Sequence, residues 1–216
     1  VTSIYKVQAN LTFQPQVTAI KEGIDVTGPK LWNGAKPELA LTGPNVGTNV
    51  AIQAPFSGTI GAATYAATTA KIPAIAFSGQ SGDPTAWNDP TPLYSKVYAD
   101  LALNVTQTVI NSGTPYLPDN TYLNVNFPKV EDNRCSNPSE FKYILTRINT
   151  GLLSGRDADW CGSTRLPWEA DVILLRGSSC FVTISPGDAT DKTTVNDVAV
   201  QQQIIDKLKP ILSCLP

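Results

Sequence analysis

Asn45 and the run Ser57-Gly58-Thr59 are the residues of this chain whose types and spacing best fit chemistry. An Asn amide oxygen can ligate a hard cation, and the flanking Gly43 and Gly47 let backbone come close to a ligand. A Ser-Gly-Thr run that opens a helix offers free backbone N–H groups, the positive end of the helix dipole and two hydroxyls, all of which favour an anion. A cation ligand followed by an anion cradle points to a metal-dependent phosphate site. Each residue also has an ordinary use, since Asn and Gly populate loops and Ser caps helices. No acidic residue lies between Asn45 and Thr59 to complete a divalent-metal site. Asp83, Asp89 and Asp188 read as turn residues or caps, and a catalytic pairing of Asp188 with Asp191 has nothing further behind it.

The elements that must position these residues follow from hydrophobic pattern. Pro37 introduces a short strand, Glu38–Thr42, which empties into the Gly/Asn-rich loop; a helix rich in Gly and Ala then runs from Gly58 to about Ala70. A strand, a polar loop and a helix N-terminus in succession are where α/β proteins place anionic ligands. Ile72–Ser78 is a near-continuous apolar run, the mark of a strand buried on both faces. Leu93, Val97, Leu101, Val105 and Val109 repeat every fourth residue along a long helix that Ser112-Gly113 ends, and Tyr122–Phe127 makes the next strand. This order implies right-handed crossovers and a parallel sheet. Upstream, Ile4–Ala9 alternates like a strand, and a helix capped by Thr18 is expected to weaken or end at Gly28-Pro29. Downstream, Phe141–Ile148, Asp171–Arg176 and Cys180–Ser185 read as strands, with a tight turn at Gly177-Ser178, forming an antiparallel or hairpin addition. A terminal helix from about Val195 to Leu212 follows.

Composition bounds the function. The 216 residues suffice for one large domain, read as a single α/β unit over 1–216. A net charge of −2, a pI near 5.1 and scattered basic residues argue against a nucleic-acid polymer as partner. No apolar run approaches the roughly 20 residues of a membrane span. The absence of His excludes Ser-His-Asp, Cys-His and His-rich metal sites built from this chain. Four cysteines, Cys135, Cys161, Cys180 and Cys214, fit no zinc spacing and indicate two disulfides, hence an oxidising compartment and secretion. Cys135–Cys161 and Cys180–Cys214 is the favoured pairing of the three that four cysteines allow. Two sequons, at Asn10 and Asn104, agree with secretion and glycosylation. The chain opens Val1-Thr2-Ser3 and contains no Met, the expectation for a processed product or a fragment.

Several ordered motifs together resemble one family. Asn45-Val46-Gly47-Thr48-Asn49, then Ser57-Gly58-Thr59-Ile60-Gly61-Ala62-Ala63, then Ile72-Pro73-Ala74-Ile75-Ala76-Phe77-Ser78, then Leu123-Asn124-Val125-Asn126-Phe127-Pro128 are similar to the core signature of the SurE-like phosphatases and nucleotidases. The cysteine-bearing C-terminal part is similar to secreted fungal members. The resemblance implies a Rossmann-like three-layer α/β/α fold with a mainly parallel sheet and a C-terminal extension that often mediates homodimers. It implies metal-dependent hydrolysis of phosphomonoesters, nucleoside monophosphates among them. The divalent cation, Mg, Mn or Ca, would be held by an Asp-Asp pair on the first strand, a Ser from a later loop and the Asn that matches Asn45. Ser57, Gly58 and Thr59 would bind phosphate, with Asn45, Ser57 and Thr59 as the catalytic contributors. Residues 1–16 contain no acidic residue, so the Asp-Asp segment has no counterpart and a companion N-terminal fragment is expected. The alternative is a non-catalytic binding or defence protein on a degenerate scaffold of this type, with Trp32, Trp87, Trp160 and Trp168 as candidate carbohydrate-binding aromatics.

Overall fold

Two strands whose every residue is buried, β2 (Ala74–Gly79) and β3 (Thr121–Phe127), form the centre of the sheet in the computed structural model. The structure describes residues 15–83, 85, 86, 88–176 and 179–216. The expected strand Ile4–Ala9, the sequon at Asn10, Trp87 and the Gly177-Ser178 turn lie outside the described residues. β1 (Ala40–Val46) runs parallel to β2, and β2 runs parallel to β3. β5 (Phe181–Asp188) is antiparallel to β3, while β4 (Lys142–Leu145) runs parallel to β5 and the short β6 (Leu212–Ser213) runs parallel to β4. The order across the sheet is β1-β2-β3-β5-β4-β6, which leaves β1 at one edge among the described residues.

Helices cover both faces, as the expected three-layer fold requires. On one face α4 (Leu93–Asn111) lays Val97, Leu101, Val105 and Val109 against Ile75, Phe77, Leu123, Val125 and Phe127, and α5 (Val198–Leu208) adds Ile204 and Leu208. Burying each such side chain stabilises the fold by about 1.5–3 kcal/mol. On the other face α3 (Gly58–Thr64), continued by a wider π turn over Tyr65–Ala70, presents Ile60, Ala63, Ala66, Ala67 and Ala70 to Ala74, Ala76 and Tyr122. The small side chains give this helix the close approach to the sheet that its composition implies.

The structure departs from the sequence expectation at five places. β1 does not stop at Thr42: it breaks register at Gly43-Pro44, where Pro44 has no N–H to give the ladder, and resumes with Asn45 opposite Ser78. Gly43 sits at φ +87, and a Cβ there would strike the Phe77 carbonyl oxygen. Asp171–Leu175 is a π-helical turn rather than a strand, because a short run of Val, Ile and Leu satisfies either buried element. β4 and β5 are not a hairpin; the chain between them is long enough for β5 to insert beside β3 and run parallel to β4. The N-terminal helix does not end at Gly28-Pro29: α1 (Pro15–Glu22) passes through a π turn, Gly23–Thr27, into α2 (Gly28–Leu31), whose first turn tolerates Pro29. The terminal helix is shorter than expected. Asp197 caps it, accepting from the Ala199 and Val200 N–H groups, and Leu212 already belongs to β6.

The cysteine pairing also needs correcting. The disulfides are Cys135–Cys180 and Cys161–Cys214, with Cα separations of 5.3 and 5.7 Å. The topology explains both. β3 and β5 are antiparallel neighbours, so the end of β3, which leads to Cys135, and the start of β5, beside Cys180, share one end of the sheet. β4 and β6 are parallel neighbours, so the loop carrying Cys161 leaves β4 at the end where Cys214 leaves β6. A non-reducing peptide map is expected to link Cys135 to Cys180 and Cys161 to Cys214. Leu101→Ala, which empties the centre of the α4 contact, is expected to cost about 2–5 kcal/mol in urea-induced unfolding.

Candidate functional site

Period-two alternation divides the central strands into an apolar and a polar face. On β3, Leu123, Val125 and Phe127 face α4 and α5, which turns Tyr122, Asn124 and Asn126 to the opposite side. Register then aligns polar residues across the sheet. Asn45, Ser78, Asn126 and Thr183 form one row over β1, β2, β3 and β5, and Asn124 and Ser185 form a second row two residues earlier on β3. The first row lies at the carboxyl ends of the three parallel strands, where open α/β sheets place their ligands.

Asn45 is therefore the last pairing residue but one of a strand, not a loop residue beyond it. Its amide oxygen accepts from Ser78 Oγ at 3.0 Å and from Asn49 Nδ2 at 2.8 Å, while its own Nδ2 donates to the Val46 and Gly47 carbonyls at 2.9 Å. Asn49 ties the loop to the sheet: its N–H donates to Asn126 Oδ1 at 2.8 Å, and its carbonyl accepts from Asn124 Nδ2 at 2.8 Å.

Beneath this loop lies Glu169, which has no exposed surface. Its carboxyl accepts from Ser185 Oγ at 2.7 Å, from Asn124 Nδ2 at 3.0 Å and from the Ala51 N–H at 3.3 Å, and Ser185 Oγ also meets Thr146 Oγ1 at 2.7 Å. Burial pushes the Glu169 carboxyl up to about 8, against the lowering effect of the Ser185, Ala51 and Asn124 hydrogen bonds. Tyr122, on the same face, is also raised, chiefly by burial and then by the neighbouring Glu169.

The second predicted cluster stands apart from the first. Ser57 caps α3, its Oγ accepting from the Ile60 N–H at 3.1 Å. Ser57 and Gly58 line a cavity of about 410 Å³ together with Gln16, Gly61 and Lys192, and Asn45 is not among its lining residues. The Lys192 ammonium donates to the Pro55 carbonyl at 3.0 Å, at the lip of this cavity. Thr59 is 2% exposed; its carbonyl accepts from Thr42 Oγ1 at 3.0 Å, which ties α3 to β1. The structure thus brings Ser57 and Gly58 to a surface, buries Thr59 and seats Asn45 in the strand-end network.

The remaining sequence candidates have local tasks. Asp188 and Asp191 each accept from the backbone N–H and hydroxyl of the Thr two residues on, Thr190 and Thr193. Asp89 accepts from the Ala86 N–H. Trp160 and Trp168 are half-buried, and Trp168 donates to the Ile148 carbonyl at 2.9 Å. Asn104 is exposed on α4, its amide donating to the Tyr143 hydroxyl at 3.0 Å. Among the described residues no group of three His, Cys, Asp or Glu side chains could hold a metal ion. The described residues therefore do not by themselves fit a divalent cation, because Asn45 offers one neutral oxygen that already accepts two hydrogen bonds.

The sequence reading missed Asn49, Ser78, Asn124, Asn126, Glu169 and Ser185 as parts of the site. One signal was available: polar residues at alternate positions inside otherwise apolar strands, as in Asn124 and Asn126 or Thr183 and Ser185.

A mainly parallel α/β sheet with a polar row at its strand ends is the architecture of a ligand-binding α/β domain. The family described as Survival protein SurE matches residues 17–150. The chain belongs to the SurE family. It is 30% identical to the 5'-nucleotidase SurE of Desulfatibacillum aliphaticivorans, over 76% of this chain and 64% of the relative. It is also 30% identical to an acid phosphatase of Yarrowia lipolytica, over 88% of this chain and 60% of the relative. The chain thus spans less than two thirds of the length of these relatives. The crystal structure of SurE from Aquifex aeolicus shares the fold, with a TM-score of 0.55 at 19% identity, over 95% of this chain and 81% of the other.

The pH dependence of folding tests the Glu169 environment. With a folded value near 8 and an ordinary value of 4.5, the folded chain holds a proton that the unfolded chain releases over that interval. Because only the unfolded chain ionises Glu169 in this interval, stability falls as pH rises from about 4.5 to about 8, by at most about 1.4 kcal/mol per unit. Urea titrations across this range are expected to show the decline in wild type and a flatter profile in Glu169→Gln.

Proposed function

We propose that this chain is the larger part of a divalent-metal-dependent phosphomonoester hydrolase that acts on nucleoside monophosphates or related phosphate esters. The observation that carries the reading is the alignment of Asn45, Ser78 and Asn126 at the carboxyl ends of three parallel strands, with the Ser57-capped helix following the first of these strands in the chain. Membership of the SurE family and relatives named 5'-nucleotidase and acid phosphatase support it.

In this reading the Gly58 and Thr59 N–H groups, which the helix cannot use internally, and the Ser57 hydroxyl donate to phosphate oxygens. Lys192 adds positive charge at the same cavity. Such donors favour the charge that develops on the phosphoryl oxygens during transfer. A bound divalent cation would supply charge neutralisation, with Asn45 as this chain's ligand. In this reading the carboxylates come from outside the described residues, on a strand that would lie along β1, which is the edge strand among the described residues and carries Asn45. The two disulfides support secretion, and Asn104 is the described residue open to glycosylation. The competing reading, a binding protein on the same scaffold, draws on the lack of an acidic cluster among the described residues.

Phosphate release from p-nitrophenyl phosphate by the complete protein, the carboxylate-bearing segment included, with and without a chelator, separates the two. Hydrolysis that the chelator abolishes is the expected result; the binding-protein reading expects none in either condition. Ser57→Ala and Asn45→Asp are each expected to lower turnover about tenfold or more. Full turnover in both would remove these residues from the mechanism.

A further inference from the structure

Glu169 is an unusual occupant for its position. It has no exposed surface, and among the described residues no basic side chain pairs with it. A carboxyl so placed is costly unless its hydrogen bonds do something an apolar side chain cannot. Its partners come from three separate pieces of the fold: Asn124 on β3, Ser185 on β5 and Ala51 in the segment that follows β1. Its backbone is anchored as well, since the Glu169 N–H donates to the Arg147 carbonyl at 2.9 Å. Arg147 is itself fixed by bonds to both carboxyl oxygens of the buried Asp157.

Ala51 is the informative partner. It adopts φ +49, in the left-handed region that an alanine enters only when its surroundings impose it, and its N–H points to the Glu169 carboxyl. A few residues before it, Asn49 donates to Asn126 through its N–H and accepts from Asn124 through its carbonyl, while its side chain reaches Asn45 and Ser78. Asn124 Nδ2 bridges the two, bonding both the Asn49 carbonyl and Glu169.

We infer that Glu169 is a positioning residue for the strand-end site: it holds Ala51 directly and Asn49 through Asn124, and Asn49 in turn orients Asn45 and Ser78. The effect on turnover rests on the hydrolase reading above; the effect on the loop does not. The raised carboxyl value supports a neutral Glu169, and a Gln keeps an acceptor oxygen on a neutral side chain of the same length, so it is the natural replacement.

Hydrogen exchange read by mass spectrometry on the whole chain tests the inference, alongside phosphate release from p-nitrophenyl phosphate. In Glu169→Ala, amides over 47–53 are expected to exchange at least tenfold faster while those of 121–127 keep their protection. Turnover falls by about tenfold, and Glu169→Gln recovers most of both. Unchanged exchange over 47–53 in folded Glu169→Ala, or an increase spread evenly over the sheet, overturns the inference. Should Glu169→Ala fail to fold, Glu169→Asp decides: its shorter reach frees Ala51 and raises exchange over 47–53, and no rise counts against the role. If the complete wild-type protein, the carboxylate-bearing segment included, releases no phosphate, the hydrolase reading fails while the exchange data still decide the positioning role.

Discussion

Polar atoms inside a sheet covered on both faces must find partners there. Asn124, Asn126, Ser78 and Ser185 have no exposed surface, and each buried polar group left unpaired costs about 1–3 kcal/mol. Their partners are Asn45 on β1, Asn49 in the segment after it, Thr146 and Glu169, so β1, β2, β3 and β5 cannot shift register independently. The loop that follows β1 takes its shape from the same bonds, because the Asn49 backbone is held on both sides by β3 side chains. Interior polarity and site geometry are therefore one feature, and Glu169 closes the network from below.

The C-terminal third solves a different problem. Between β4 and β5 the chain is long and largely irregular, with little repetitive backbone bonding to stabilise it. Arg147 organises it: the guanidinium meets Asp157, Ser154, Asn196 and the Asn149 carbonyl, and Asp157 also accepts from Gln201 Nε2 and the Leu166 N–H. Both members of this pair are almost fully buried, so removing either would strand a charge. The disulfides close the same region, one joining the neighbourhoods of β3 and β5 and the other joining the loop after β4 to the residue after β6.

Family membership and geometry meet at the edge of the sheet. β1 carries Asn45, the residue the SurE resemblance marks as a cation ligand, yet the network spends its amide oxygen on Ser78 and Asn49. The cavity at Ser57 and Gly58 is a separate surface with Lys192 beside it. Under the proposed hydrolase reading, a site assembled from these two parts would draw its neutral donors and its phosphate contacts from this chain, and its negative charge from outside the described residues.

Much of the fold is legible in the amino-acid sequence because strong periodicity is a local property. The fourth-residue repeat of α4, the apolar run of β2 and the Gly/Ala face of α3 each define their element without reference to any other. The motifs around Asn45 and Ser57 likewise carry the SurE resemblance, and both lie within the stretch that matches the family. Pairing is not local, and tertiary structure alone decided it: which cysteines meet, that β5 inserts between β3 and β4, and that Asp171–Leu175 coils. Glu169 lies far along the chain from Asn49, and only the register of β3 against β5 brings Asn124 and Ser185 to one carboxyl. A sequence reveals which residues want burial or a turn; which buried donor meets which acceptor depends on the relative placement of strands distant in sequence, and that placement is set by the packing of the whole sheet.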